Sequence, residues 1–243
     1  AADYPLWLAD RLLRHLLTDH TGNTHRTEIS IDKLYSPDSM TGRLGLIEFR
    51  AFEMPYHPRM NAVQGLLLRG LVAALLRNPW NGKPIDLGLA LEDRFRLPAF
   101  LMEDLTDVLE MISTAGFSFD PAWFTAFLDA RFAVCGAMEA KGIRVEVRTA
   151  VENWTVLGEE MFLHGTARAV DAAVERLEVR THNFAPERYS LFCNGREVPL
   201  HSTRTTGSFA GGVRFKAWSP PSTMHPSLPA EPELVFELAD NFT

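Results

Sequence analysis

The chain has 243 residues, 46% of them hydrophobic and 23% charged, with a formal charge of −7. That composition excludes general disorder. The acidic balance argues against a general nucleic-acid binder, which rewards basic surface. No uninterrupted apolar run approaches the ~20 residues of a membrane span: the longest, Gly65 to Leu76, is broken by Arg69. On this reading the chain is not an integral membrane protein. Cys135 and Cys193 form no CxxC pair, so a reducing, cytoplasmic setting is expected.

In chain order, leucines at 6, 8, 12, 13, 16 and 17 have helical spacing, and Thr21-Gly22-Asn23 is a stop signal. Thr27 to Leu34 alternates as a half-buried strand, and a second strand is expected from about Leu44 to Glu53. Joined by a short loop, the two are most simply an antiparallel pair. Pro55-Tyr56-His57-Pro58 breaks the second strand. A helix over Arg59 to Arg77 is apolar on most of its surface and should pack on more than one side. Pro98 to Ala115 reads as another helix with Gly116 beyond its end. Asp120-Pro121 opens a short one.

Beyond about residue 134 the pattern becomes that of strands. Gly142 to Val151, Val174 to His182, Tyr189 to Cys193, Val198 to His201, Val213 to Trp218 and Leu234 to Leu238 are candidates. Asn194-Gly195 is a hairpin signal. The fold class expected is α+β. Residues 1–133 would form a helical and β-hairpin part, and residues 134–243 a mainly antiparallel, sandwich-like part.

Chemistry concentrates near the start. On the second strand Glu48 and Arg50 point the same way, at most ~7 Å apart along the strand. Glu28, Ser30 and Asp32 share a face of the first strand. If Ile29, Ile31, Ile47 and Phe49 seek one core, then Glu28, Asp32, Glu48 and Arg50 converge on the opposite surface, with His25 and Arg26 at its rim. Three carboxylates on one surface repel unless something offsets them. Mg²⁺ takes carboxylates together with phosphate oxygens, and Arg recognises phosphate bidentately. The plainer reading is a solvated sheet face carrying harmless charge pairs.

The stretches Thr24 to Glu28, Ile31 to Asp38 and Gly42 to Pro55 resemble a bacterial family of amidoligase domains, found in large proteins that also carry a transglutaminase-like domain. The likeness continues through Val156-Leu157-Gly158-Glu159-Glu160, Gly165-Thr166-Ala167-Arg168, Cys193-Asn194-Gly195-Arg196 and Leu234-Val235-Phe236. It implies a glutamine-synthetase-like carboxylate–amine ligase, in which ATP activates a carboxylate and an amine displaces the phosphate. A Glu-x-Arg strand marks that superfamily, and Glu48-Phe49-Arg50 fits it. The resemblance implies Mg²⁺ on Glu48, with Glu28 and Asp32 supporting. It implies Arg50, with His25 and Arg26, on the nucleotide, and Glu48, Arg50 and Glu28 as the catalytic set. It further implies that the chain is a C-terminal piece of the ligase domain. Its partners would then be the other domains of a longer protein and a small-molecule or peptide carboxylate and amine. The alternative is a non-catalytic, β-rich interaction or scaffold module of that protein. Transglutaminase chemistry needs a Cys, His and Asp set, and neither cysteine has such neighbours in sequence. The histidines at 164, 182, 201 and 225 match no zinc spacing. Gly207 to Gly212 lacks the following Lys-Ser/Thr of a phosphate cradle.

Overall fold

A computed structural model describes residues 4–18, 23–24, 27–162, 165–219 and 228–242. The chain separates into two compact units, Ala1–Pro55 and Tyr56–Thr243. The helices lie in the N-terminal half and most of the strands in the C-terminal half, all strands within sheets pairing antiparallel, so the α+β class holds.

In the first unit, helix α1 spans Trp7–Leu13, shorter than the leucine pattern suggests. Its Asp10 is buried and held by Arg14, with Nη2 2.8 Å from Oδ1. Arg14 also donates to Ser36 Oγ at 3.1 Å. This buried polar link ties α1 to the loop that follows the first strand. The two expected strands exist but are short: β1 is Ile29–Ser30 and β2 is Glu48–Phe49. They pair antiparallel, Ile29 opposite Phe49 and Ser30 opposite Glu48. The chain turns directly after β1, where Leu34 N–H donates to the Ile31 carbonyl at 2.9 Å. The apolar core expected on one side of this pair does not form within the unit. Ile31 is buried, but Ile29 and Ile47 are exposed, and it is the polar Ser30 that is buried. A unit of 55 residues has too little apolar surface to close both faces of a ribbon.

The second unit starts with α2, Pro58–Arg77. Pro58 sits at its first position, and His57 Nδ1 accepts the Arg59 N–H at 3.1 Å as a cap. The expectation that α2 packs on more than one side is not met. Gly70 and Ala74 are buried against Ile112, Ala115 and Phe119, while Leu66, Val72, Leu75 and Leu76 are exposed. Gly70 allows this approach, since a Cβ there would lie 3.0 Å from the Phe119 ring. Despite Arg69, which interrupts its apolar run, α2 is long and apolar enough by length and composition to cross a membrane. Helix α3 covers Pro98–Thr114, preceded by a π-turn at Leu91–Phe95. Gly116 follows it at φ +90°, the left-handed conformation a glycine tolerates at a helix end. Asp120 caps a 3-10 turn by accepting the Ala122 N–H at 2.9 Å. Helix α4, Thr125–Arg131, follows.

The strands form β3 (Val134–Ala140), β4 (Ile143–Ala150), β5 (Thr155–Phe162), β6 (Gly165–Asp171), β7 (Glu175–His182), β8 (Tyr189–Cys193), β9 (Arg196–Glu197), β10 (His201–Ser202), β11 (Phe209–Phe215) and β12 (Phe236–Asp240). One sheet has the order β10-β11-β7-β4-β3 and a second β12-β8-β9. β5 and β6 pair as a separate ribbon. Alternation assigns the two faces of the five-stranded sheet. Val145 and Val179 join Leu191 and Cys193 of the second sheet, and Val198 just beyond β9, in an apolar core. The other face carries Glu146, Arg148, Arg176, Glu178 and Arg180 in register. The start of α3 seats here, with Leu97, Ala99 and Phe100 packed on Ala210 and Ala150. Glu178 is fully buried, and its Oε2 accepts the Ala99 N–H at 2.7 Å. Asn194 (φ +46°) and Gly195 (φ +74°) form the tight β8–β9 turn that the Asn-Gly pair predicts.

Candidate functional site

The candidate site lies on β1, β2 and the turns beside them, all within the first unit. Arg50 continues β2 by one residue, and its N–H donates to the Glu28 carbonyl at 2.7 Å. Extending the register places Glu28 opposite Arg50, two residues from the Ser30–Glu48 pair. Glu28, Ser30, Glu48 and Arg50 therefore belong to one face. Asp32 does not extend that row, because the chain has already turned.

Arg50 Nη2 donates to Glu48 Oε2 at 3.1 Å, and its Nη1 donates to the Thr24 carbonyl at 2.9 Å. Lys33 Nζ lies 3.7 Å from the same Glu48 oxygen. The hydrogen bond from Arg50, backed by the charges of Arg50 and Lys33, lowers the Glu48 carboxyl below its ordinary value. Glu48 in turn raises Arg50, with Asp32 contributing through its charge. Both groups stay ionised across the physiological range. Asp32 Oδ2 accepts the Thr24 hydroxyl at 3.1 Å. Glu28 is exposed at the edge. His25 and Arg26 lie outside the described residues.

Two members of the site had no place in the residue pattern. Lys33 would face away from Glu48 had β1 continued. The turn at residues 31–34 brings it round, and its carbonyl, accepting the Leu44 and Leu46 N–H groups at 3.0 and 3.2 Å, fixes it there. Thr24 meets Arg50 through its main-chain carbonyl, a contact that no side-chain motif reports.

Among the described residues no three His, Cys, Asp or Glu side chains gather as a metal-binding group. A self-standing metal cage therefore does not fit. A Mg²⁺ ion arriving with a nucleotide needs only one or two carboxylates, the rest of its shell being phosphate and water. Glu48 beside Arg50 and Lys33 fits that demand: two cations, of the kind that can pair with phosphate, converge on one carboxylate oxygen. Cys135 is exposed, whereas Cys193 is buried. Burial pushes the Cys193 thiol up, which disfavours the thiolate a nucleophile requires.

A comparison with curated proteins finds no match, and neither does a comparison with solved structures. A family model described as "Putative amidoligase enzyme (DUF2126)" matches residues 1–243. The whole length of the chain therefore belongs to this amidoligase family.

Proposed function

We propose that the chain supplies part of the active site of an ATP-dependent carboxylate–amine ligase within a larger transglutaminase-like protein. The observation that supports this best is the Glu48–Arg50 pair on β2, with Lys33 beside it. One short strand presents a carboxylate for a metal and a guanidinium for phosphate, side by side. With Mg²⁺, ATP would supply the phosphoryl group that activates the substrate carboxylate for attack by an amine.

In this reading Glu48 is the metal ligand. Arg50 binds phosphoryl oxygens and stabilises the charge that develops on them during transfer. In the free protein Glu48 pairs with both Arg50 and Lys33. A metal engaging Glu48 would offset the carboxylate's charge and leave the positive charge of both cations for phosphate, with the Glu48–Arg50 hydrogen bond kept. Glu28 lines the edge where the amine would approach, and the family resemblance assigns the nucleotide to His25 and Arg26, which lie outside the described residues.

Thermal unfolding with Mg·ATP tests the reading. A ligand that binds only the native state at 100 times its Kd stabilises by about 2.7 kcal/mol, so the melting temperature should rise. Arg50→Ala should abolish the rise. No shift at millimolar Mg·ATP, in this chain and in the longer protein alike, would refute it. The chain would then be better read as a β-rich interaction module. The β5–β6 ribbon supports that second reading, since among the described residues each of its strands pairs only with the other.

A further inference from the structure

Thr24 lies outside both strands, yet the orientation of Arg50 depends on it. Its carbonyl accepts Arg50 Nη1–H at 2.9 Å. Its own hydroxyl donates to Asp32 Oδ2 at 3.1 Å. Asp32 follows the turn that ends β1, and its N–H is 3.4 Å from Ser30 Oγ. A continuous path therefore runs from the Asp32 carboxylate through Thr24 to one terminal nitrogen of Arg50. Glu48 holds the other terminal nitrogen at 3.1 Å.

A guanidinium is a planar fork on a flexible stem. Held at one nitrogen, it can still pivot about that contact. Held at both, its plane and its rotation within that plane are fixed. The Glu48 contact comes from the same strand, two residues away, and is half-exposed. The Thr24 contact comes from a separate loop and supplies the second point. We propose that Thr24 and Asp32 are positioning residues that fix the Arg50 guanidinium to receive a pair of phosphoryl oxygens. That phosphate is the ligand rests on the ligase reading above; the two-point restraint itself does not. The same geometry gives Asp32 a positioning task, since its Oδ2 accepts the Thr24 hydroxyl.

The test uses the full chain as wild type, Thr24→Val, Thr24→Ser, Asp32→Ala and the Thr24→Val/Asp32→Ala double variant. Mg·ATP affinity is measured by calorimetry. Arg50 side-chain N–H signals are followed by nitrogen-15 NMR, assigned by their loss in Arg50→Ala. Thr24→Val should weaken Mg·ATP about tenfold, the cost of one charge-assisted hydrogen-bond restraint. Thr24→Ser should restore binding. The double variant should be no worse than either single, as expected of groups on one path. In the absence of ligand, Arg50 signals resolved in wild type and in Thr24→Ser should broaden or average in Thr24→Val. Unchanged Arg50 signals in Thr24→Val, or failure of Thr24→Ser to rescue, would overturn the inference. If Mg·ATP binds neither the wild-type chain nor the longer protein, the ligase reading fails, and the ligand-free NMR comparison alone decides whether Thr24 and Asp32 position Arg50.

Discussion

Replacing Glu178 by Ala removes the acceptor that seats α3 on the five-stranded sheet. The carboxylate is fully buried, and the N-cap residue Leu97 offers no side-chain acceptor of its own. Stranding the buried Ala99 N–H costs about 1–3 kcal/mol. Emptying a closed site adds a cavity cost of about 1 kcal/mol. A total near 3 kcal/mol should lower the melting temperature by about 6–12 °C for a domain of this size. Glu178→Gln separates hydrogen bonding from charge. It keeps an oxygen for Ala99 but discards a negative charge for which burial is costly, and among the described residues Oε1 has no partner. Burial raises the Glu178 carboxyl above its ordinary value, outweighing the Ala99 N–H and the charges of Arg180 and Arg148. The sign follows from linkage. The stability tied to this group is complete below the unfolded carboxyl value of about 4.3 and is lost as pH rises through the higher folded value. Glu178→Gln should therefore match or exceed wild type at pH 7 in thermal and urea unfolding, and the advantage should vanish near pH 4. If Gln costs as much as Ala at pH 7, or leaves the pH dependence unchanged, Arg180 and Arg148 outweigh burial and the reasoning fails.

Glu48→Gln should remove the Mg²⁺ dependence of ATP binding while leaving a weaker, metal-independent affinity through Arg50, measured by calorimetry with and without chelator. Asp240 is held by Arg188 Nη2 at 3.0 Å and Lys141 Nζ at 3.1 Å, and the hydrogen bonds from these two groups lower its carboxyl to about 2. Its contribution is present above the unfolded value near 3.9 and lost as pH falls through about 2. The stability gap between wild type and Asp240→Asn should thus close from pH 5 to pH 2, with amide exchange in β12 following the same course. Gly211→Ala would set a Cβ 2.7 Å from the Pro199 carbonyl oxygen and 2.9 Å from Val198 Cγ1, and should cost about 1–3 kcal/mol in urea unfolding. Gly65→Ala, mid-α2 with open space around it, should instead gain up to about 1 kcal/mol.

Local chemistry made much of this protein legible from its residues. Pro58 and Pro98 at helix starts, Asp120 as a cap, Gly116 at a helix end and Asn194-Gly195 at a turn each act within a few residues, so each element is found where its residues expect it. Alternation over residues 143–150 and 175–182 fixed which faces of β4 and β7 are apolar, because strand side chains must point to opposite sides. That the first two strands pair antiparallel was legible from the loop joining them, while the register that sets Glu48 opposite Ser30 was not. What lay beyond alternation was decided by tertiary structure. β1 ends after two residues because the chain turns, and this brings Lys33 to Glu48 and Asp32 to Thr24. The burial of Glu178 under α3 joins positions 79 residues apart. The openness of one side of α2 depends on what packs against it, since apolar character measures the tendency to be buried and cannot name the surface that does the burying.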